Sequence, residues 1–384
     1  MRPRYYTVSL SAVAQLVVAT LQKALGLQDF GSRVTGRLLA ELLIAASIRR
    51  GSLSAACQER RRTASDETIR RAIWAYLPRD VADLQQRLAA GLTRPIPRGI
   101  RRRPQPLAID LTLLPFYGDR STPGLFRGKA KQGTKHFWAY ATCVIVRHGK
   151  RLTLALAPVA NPGALDKVIE QLLAQAAALG VRPAYLLLDR GFYAAKIIAW
   201  LKQHQIAFVM PMIRRGRRPS DPRGPTGTQV FFQRSQVGFH QHRWTGKRDR
   251  SKVTVDVAVV PRGRSNPQVY AFSGKRRSLQ WFLTTYRKRF GIESSYRQLR
   301  ECLARTTACD ARWRLLMVGV ALILRNAWVE LHWQTFASVR PGGRELRLSL
   351  LRLQNFLHWL QIAVNQALRI RDELVTQRPL PIPP

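Results

Sequence analysis

The chain has 384 residues, which allows two or three domains with a substantial buried core and excludes a peptide or a linker. Lys and Arg total 64 against 22 Asp and Glu, a formal net charge of +42, which exceeds what solubility alone requires. A polyanionic partner is indicated, nucleic acid first and an anionic membrane surface second.

The longest uninterrupted apolar run, Leu315 to Leu324, has ten residues. This is about half the ~20 residues needed to span a bilayer. We therefore expect a buried core helix at this position and no association with a membrane.

The N-terminus and the cysteines favour a cytoplasmic protein. The first residues mix polar and apolar side chains and do not resemble a secretory signal. The four cysteines are scattered, with neither a Cys-x-x-Cys pair nor a nearby histidine cluster: Cys57, Cys143, Cys302 and Cys309. We expect no zinc site, no disulfide framework, and a cytoplasmic, nucleoid-associated location.

Three short helices separated by turns are predicted in residues 1–93, at 36–48, 53–61 and 66–76. Ser52 and Ser65 stand where the N-cap acceptors of the second and third helices belong. The spacing suits a helix-turn-helix, whose last helix enters the DNA major groove and here carries Thr68, Arg70 and Arg71. We predict a helical DNA-binding domain with Arg70 and Arg71 as DNA contacts; a three-helix cap with a solvated basic face is the alternative.

Residues 94–106 read Arg-Pro-Ile-Pro-Arg-Gly-Ile-Arg-Arg-Arg-Pro-Gln-Pro. The prolines favour extended backbone and interrupt helices, so we predict a linker between two domains. Its arginines would allow it to follow a DNA backbone, and a solvated linker is the alternative; they are Arg94, Arg98, Arg101, Arg102 and Arg103.

After the linker, the hydrophobic patterns predict the order βββαβαβ. The predicted strands are 107–114, 137–146, 152–159, 184–188 and 206–210, and the helices are 164–179 and 193–203. Consecutive strands extended by β-α-β crossovers form a mixed α/β sheet, in the order of RNase H-like folds. In that fold the first strand, with Asp110, and the fourth, which ends at Asp189, are neighbours in the middle of the sheet.

The predicted catalytic domain covers residues 107–334. After the last of these strands it contains a β-rich insertion at about 214–276. Its predicted strands are 230–233, 252–260 and 268–272. A long helical stretch then begins near Leu279 and carries Glu293, followed by a helix at 315–331. Residues 335–384 are predicted to be a C-terminal helical region, with a helix at 346–374 and a Pro-rich tail.

Two aspartates lie in apolar strands, in a chain with few acids. Asp110 follows Leu-Ala-Ile and Asp189 follows Leu-Leu-Leu, and an ionised carboxylate in such a setting is costly unless it is paired or bound to a metal. Pairing with Arg190 is an alternative for Asp189. Together the two carboxylates supply the oxygen ligands that Mg²⁺ prefers, with Mn²⁺ as a substitute, and two such ions ~4 Å apart can catalyse phosphoryl transfer.

A third acid, Glu293, is surrounded by basic residues. Arg289 and Arg297 flank it at i−4 and i+4, a spacing that by itself predicts a helix-surface ion-pair ladder. Four residues also fall on the pattern Tyr-x-x-Arg-x-x-x-Glu-x-x-x-x-x-x-Lys, with Arg in the last position: Tyr286, Arg289, Glu293 and Arg300. On one continuous helix, their spacing would place all four on one face.

This pattern resembles the DDE transposases of prokaryotic insertion sequences. The resemblance extends to the Ile-Asp-Leu-Thr-x-x-Pro-Phe-Tyr-Gly setting of Asp110 and the Leu-Asp-Arg-Gly-Phe-Tyr setting of Asp189, over roughly residues 105–330. It implies an RNase H-like catalytic domain with a β-rich insertion between the second Asp and the Glu. Arg300 keeps the positive charge of the usual lysine but has a planar guanidinium in its place.

The resemblance also implies roles and partners. Asp110, Asp189 and Glu293 would be the catalytic residues and would bind two Mg²⁺ ions. Tyr286, Arg289 and Arg300 would hold phosphates of the transposon end. The reaction would be hydrolysis at the ends of the element, followed by attack of the freed 3′-hydroxyls on target DNA, in a homodimer bound to double-stranded DNA.

Some relatives form a hairpin on the excised end and flip a base onto a tryptophan of the insertion. This makes Trp244 a candidate for base stacking, although a core or surface tryptophan fits the position as well.

Three other functions fit part of the pattern. An RNase H-like nuclease would use the same three acids to cut DNA without joining it. A non-catalytic DNA-binding protein would not need all three acids. A ribosome-associated or chromatin-like basic protein would explain the charge but not Asp110 and Asp189 within strands.

Overall fold

The computed structural model describes residues 8–60, 64–93, 96, 98–147, 151–246, 250–263, 265–340 and 343–370. The helices in these ranges are α1 Leu10–Leu25, α2 Gly36–Ile48, α3 Leu53–Gln58, α4 Asp66–Tyr76, α5 Val81–Thr93, α6 Arg98–Arg101, α7 Leu165–Ala178, α8 Ala195–Gln203, α9 Leu279–Arg287, α10 Phe290–Glu301, α11 Ala311–Leu331 and α12 Leu353–Leu368.

Nine strands form one mixed sheet in the order β2-β3-β1-β5-β6-β9-β8-β7, with β4 also pairing with β3. They are β1 Gln105–Pro115, β2 Phe126–Lys131, β3 Thr134–Ile145, β4 Thr153–Pro158, β5 Pro183–Leu188, β6 Phe208–Pro211, β7 Gly238–Thr245, β8 Lys252–Arg262 and β9 Ser265–Ser273. Two further short strands, β10 Ser338–Arg340 and β11 Gly343–Glu345, pair only with each other in the described chain. Helices flank the large sheet, so the predicted mixed α/β, RNase H-like fold is confirmed.

Strands β1 and β5 lie side by side near the centre of the sheet and pair in parallel. Strand β1 is rich in Leu and Ile and β5 in Leu, and most of these side chains are buried, as expected of parallel strands covered on both faces. Ile109 lies opposite Leu188 in the register, so the next residue on each strand is an aspartate. The prediction that the strands of Asp110 and Asp189 are neighbours is confirmed.

The N-terminal helices share one hydrophobic core with the sheet. Helix α5 packs closely on α11, because a Cβ on Gly319 would lie 2.5 Å from Leu88 and a Cβ on Gly91 would lie 2.8 Å from Ile323. Asn326 of α11 donates hydrogen bonds to the carbonyls of Leu92 and Thr153 and so joins α5 to β4.

Helix α11 is the central helix of this core. The predicted buried run Leu315–Leu324 lies within it and is confirmed as buried. By length and composition, the helical segment Ala311–Phe336 is long and apolar enough to cross a membrane. However, 94% of its apolar 18-residue stretch is buried inside the protein.

In the N-terminal region, α2 and α4 match the predicted ranges, and Ser52 and Ser65 cap α3 and α4 as predicted. Helices α1 and α5 were not predicted.

The prediction of an extended linker over residues 94–106 is wrong in part. Arg98–Arg101 forms a short helix with Ile100 buried, and β1 already begins at Gln105. Burial of Ile100 against the core outweighs the local preference of the flanking prolines for extended backbone. Arg94 lies outside the described residues.

The insertion also differs from the prediction. The expected strand 230–233 is wrong, because Gly227–Phe232 forms a 3₁₀ turn, whereas the strand Gly238–Thr245 was missed. The strands of the insertion continue the main sheet, since β9 pairs with β6. The hairpin strand β2 was also missed, so Asp189 follows the fifth strand of the chain and not the fourth.

The expectation of one continuous helix from Leu279 past Glu293 is wrong. Between α9 and α10 the amides of Lys288, Arg289 and Ile292 bond to carbonyls three residues earlier. This tightened turn advances the chain by about 120° per residue and not the 100° of an α-helix, so the motif residues do not lie on one continuous helix. Nearer the C-terminus, α12 begins at Leu353 and not at 346, and residues 371–384 lie outside the described ranges.

Candidate active site

Three carboxylates meet where the central strands end. Asp110 lies within β1, Asp189 directly follows β5, and Glu293 is in the first turn of α10. After Asp189 the chain turns sharply and buries Phe192 and Tyr193, which fixes the carboxylate at the edge of the sheet.

Helix α10 is joined to the sheet at this point by Tyr296. Its hydroxyl donates to the backbone carbonyl of Asp110 at 2.6 Å and lies 2.9 Å from Oγ1 of Thr142. Thr142 is opposite Asp110 in the pairing of β1 with β3. Tyr296 is one turn from Glu293, so the same contact sets the distance of Glu293 from Asp110.

The guanidinium of Arg289 lies between the three acids. Its Nη1 is 2.7 Å from Oδ2 of Asp110, and its Nη2 is 2.6 Å from Oε1 of Glu293 and 3.8 Å from Oδ1 of Asp189. The Arg289 side chain is 9% exposed, against 13% for Asp110, 44% for Asp189 and 38% for Glu293. The site is therefore closed on the β1 side and open to solvent beside Asp189 and Glu293.

Burial raises the pKa of Asp110 to about 6, with Arg289 acting against this shift and Asp189 adding to it. The backbone amide of Leu111 also donates to Oδ1 of Asp110 at 2.8 Å. When all groups are ionised, three carboxylates and one guanidinium leave two negative charges at the site. Such an excess of negative charge at a partly buried site favours binding of a further cation.

The donor set suits a hard divalent ion, because all three groups present carboxylate oxygens. In the described part of the chain, no three His, Cys, Asp or Glu side chains are close enough together to hold a metal ion. The acids converge on Arg289 and not directly on one another. A metal ion bound by all three acids would therefore require Arg289 to release at least one of them.

The sequence matches the transposase DDE domain family over residues 101–324, more than half of the chain. The chain belongs to this family. The matched range contains all three acids of the site. No curated protein matches the sequence.

The transposase also resembles a solved structure, the piggyBac transposase synaptic complex with hairpin DNA, determined by cryo-EM. The TM-score is 0.54 at 11% sequence identity, and the similarity covers 94% of this chain and 81% of the other. At this identity the similarity shows a common fold.

The two other motif residues lie at different places: Tyr286 lies beside the acids, with the Arg289 guanidinium 5.5 Å from the centroid of its ring, and Arg300 lies at the far end of α10. Tyr286 is buried, with its hydroxyl 3.4 Å from the carbonyl of Leu188 and its ring against Tyr270. Arg300 is exposed in the last turn of α10. Their contacts with phosphates, and that of Arg289, stay predictions.

Further candidates lie outside the site. Arg70 and Arg71 project from α4, and both pair with Glu67. Trp244 on β7 is half-buried and stacks with Tyr193 at 5.4 Å and with His242 at 4.9 Å between ring centroids. These roles in DNA binding and base stacking stay predictions.

Sequence reasoning missed Tyr296 and the central position of Arg289. Tyr296 follows Glu293 by three residues, a spacing that indicates a common helix face and was available in the sequence. Of the two predicted pairs of Glu293, the structure has the one with Arg289. Among the described residues, neither Arg297 with Glu293 nor Arg190 with Asp189 forms an ion pair.

Proposed function

We propose that this protein is a transposase of the prokaryotic insertion-sequence group, which cuts DNA at the ends of its element and joins them to target DNA. The observation that carries the proposal is the convergence of Asp110, Asp189 and Glu293 on one point at the ends of two central strands. Membership of the DDE family and the Tyr-Arg-Glu pattern around Glu293 support it.

Asp110, Asp189 and Glu293 would hold two Mg²⁺ ions, with Mn²⁺ as a substitute. When bound, such ions neutralise charge on the reacting phosphate and activate the attacking oxygen. The residual negative charge of the site and its oxygen donors fit this cofactor. The openness of Asp189 and Glu293 leaves room for a phosphate beside them.

The protein's own residues then position the reacting groups. Tyr296 holds α10 against β1 and so keeps the carboxylates of Asp110 and Glu293 at a fixed separation. Arg289 offsets part of the negative charge of the acids and, once released from them, its guanidinium would be placed to contact a phosphate at the same point. We assign Tyr286 and Arg300 to the same DNA strand.

The substrate is proposed to be double-stranded DNA, bound by a homodimer associated with the nucleoid. The net charge of +42 supports a nucleic-acid partner. The structurally similar piggyBac transposase was solved as a synaptic complex with hairpin DNA, which also favours DNA.

A nuclease that cuts without joining is the second candidate, because hydrolysis needs the same three acids. The products separate the two functions. Strand transfer yields a covalent joint between the element end and the target, whereas hydrolysis alone yields only shortened strands.

The test is Mg²⁺-dependent cleavage and joining of DNA that carries the element's own ends. Wild type is compared with Glu293→Gln and with Glu301→Gln, which removes an acid from the other end of the same helix. We expect both reactions in wild type and Glu301→Gln, and neither in Glu293→Gln at equal DNA occupancy. Cleavage without joining in wild type would assign the nuclease, and normal activity of Glu293→Gln would remove Glu293 from the site.

A further inference from the structure

A basic cleft of roughly 230 Å³ lies at the C-terminal end of α10. We call it the α10 cleft. Its lining residues come from four separate parts of the chain: Arg50, Leu114, Pro115, Gln132, Arg300, Leu303 and Arg305.

The α10 cleft has three positive charges and no acidic lining residue. Arg50, Arg300 and Arg305 are all exposed. Within the described ranges, none of the three forms an ion pair. Guanidinium groups gathered in this way repel one another, and an anion that binds between them relieves the repulsion.

Arg50 is held in an unusual backbone conformation. Its φ of 51° is in the left-handed region that favours glycine. The adjacent Gly51 carbonyl accepts a hydrogen bond from the amide of Arg305 at 2.9 Å. This bond joins the turn after α2 to the segment after α10 and keeps two of the arginines side by side.

The position of the α10 cleft relates it to the acids. Arg300 follows Glu293 by seven residues, about 10.5 Å along the helix. Leu114 follows Asp110 by four residues on β1, about 13 Å along the strand. Two independent elements thus lead from the acids to the cleft. A DNA duplex rises about 3.4 Å per nucleotide along its axis, so these separations correspond to about three to four nucleotides along the axis.

We propose that the α10 cleft binds a backbone phosphate of the cleaved DNA strand, about three to four nucleotides from the bond that is cut. Arg50, Arg300 and Arg305 would donate to its oxygens, with Gln132 at the rim. This inference rests on the proposed function for the location of the cut. It adds Arg50, from the N-terminal helices, to the DNA-binding surface beside the acids.

The first test uses Arg50→Gly, because glycine suits the backbone at this position and the variant should fold. Its matched control is Arg369→Gly, since Arg369 is also exposed with a φ of 49° but does not line the cleft. Affinity for a fluorescein-labelled random-sequence duplex is measured by anisotropy at several salt concentrations. Loss of one phosphate contact should lower the slope of log affinity against log salt by about 0.9 in Arg50→Gly but not in Arg369→Gly. Equal slopes in the two variants would overturn the proposal.

A second pair of variants lies on α10 itself. Arg300→Ala should weaken binding several-fold, whereas Arg297→Ala, one turn away and outside the cleft, should bind as wild type does. Equal loss in both would indicate general attraction to DNA and not a site, and would overturn the proposal.

The third measurement locates the contact. Single neutral methylphosphonates are placed along the strand of an element end. In wild type, one placed two to four nucleotides from the cut should weaken binding, and in Arg50→Gly the same change should have a smaller effect. No sensitive position in that window would overturn the proposal. If wild type neither cleaves nor joins DNA, the proposed function is contradicted. The salt dependence of DNA affinity would still test whether the cleft binds phosphate.

Discussion

The two ends of α10 differ in almost every physical property. At its N-terminal end, Asp110, Asp189 and Glu293 surround the mostly buried guanidinium of Arg289. At its C-terminal end, Arg300 lies in an open cleft with Arg50 and Arg305 and without a carboxylate. One end is acidic and closed on one side, and the other is basic and exposed.

In the proposed reaction, this difference would separate two requirements of phosphoryl transfer along one helix. Cations at the reacting phosphate need a concentrated negative charge, whereas the rest of the DNA backbone needs positive charge. If both were adjacent, the arginines would pair with the acids, as Arg289 does. A separation of about two helical turns would keep Arg300 available for the proposed phosphate contact.

The largest effect is expected from removing an acid. Asp110→Asn keeps the size of the side chain but removes its charge, and loss of a metal contact worth several kcal/mol should slow cleavage by about 10³-fold or more. DNA affinity should persist, because the basic surface is unchanged. Parallel loss of DNA binding would show that Asp110 has a structural role.

Arg289→Ala tests how the acidic end is neutralised. Removing one partner of a buried ion pair costs about 3–5 kcal/mol, so without a divalent ion the variant should melt several degrees lower than wild type. Mg²⁺ should then raise its melting temperature by more than it raises that of wild type, because the metal replaces the missing charge. If Mg²⁺ raises the melting temperature of the variant by no more than it raises that of wild type, Arg289 supports the metal site and does not compete with the metal ion for the carboxylates.

Tyr296→Phe tests the link between α10 and β1. It removes the hydroxyl that donates to the Asp110 carbonyl, at a cost of about 1–3 kcal/mol, and loosens the spacing of the acids. We expect affinity for Mn²⁺ to fall by about tenfold. The control is Tyr140→Phe, because the buried Tyr140 hydroxyl has no hydrogen-bond partner in the described structure. A loss of stability in Tyr296→Phe without any change in Mn²⁺ affinity would show that Tyr296 stabilises the fold but does not position the acids.

The smallest effect is expected at α4, which contributes no residue to the acidic site or to the α10 cleft. Replacing both Arg70 and Arg71 by Ala should leave unfolding stability within about 0.5 kcal/mol, because both side chains are on the surface and share Glu67. DNA affinity should fall several-fold if α4 is a recognition helix. Unchanged affinity, measured by anisotropy, would favour the three-helix cap.

The sequence was most informative where local pattern determines structure. Apolar runs that end in Asp110 and Asp189 predicted buried strands, and the β-α-β order predicted that they are neighbours, as the register of Ile109 with Leu188 confirms. N-cap residues predicted the starts of α3 and α4 correctly.

Features that depend on distant contacts were missed. The turn between α9 and α10 has no proline, and its tightened hydrogen bonds follow from packing of both helices on the sheet. Arg289 reaches Asp110 across 179 positions in the chain, a contact that its helical spacing to Glu293 does not reveal. Arg50 lines the α10 cleft only because the N-terminal helices share a core with the sheet.

The most direct measurement is a count of bound Mn²⁺ by electron paramagnetic resonance, with the protein held on DNA of an element end. Wild type should bind two ions per protomer. Asp110→Asn, Asp189→Asn and Glu293→Gln should each lose at least one ion while keeping their DNA. Undiminished Mn²⁺ binding in all three variants would contradict a metal site formed by these carboxylates.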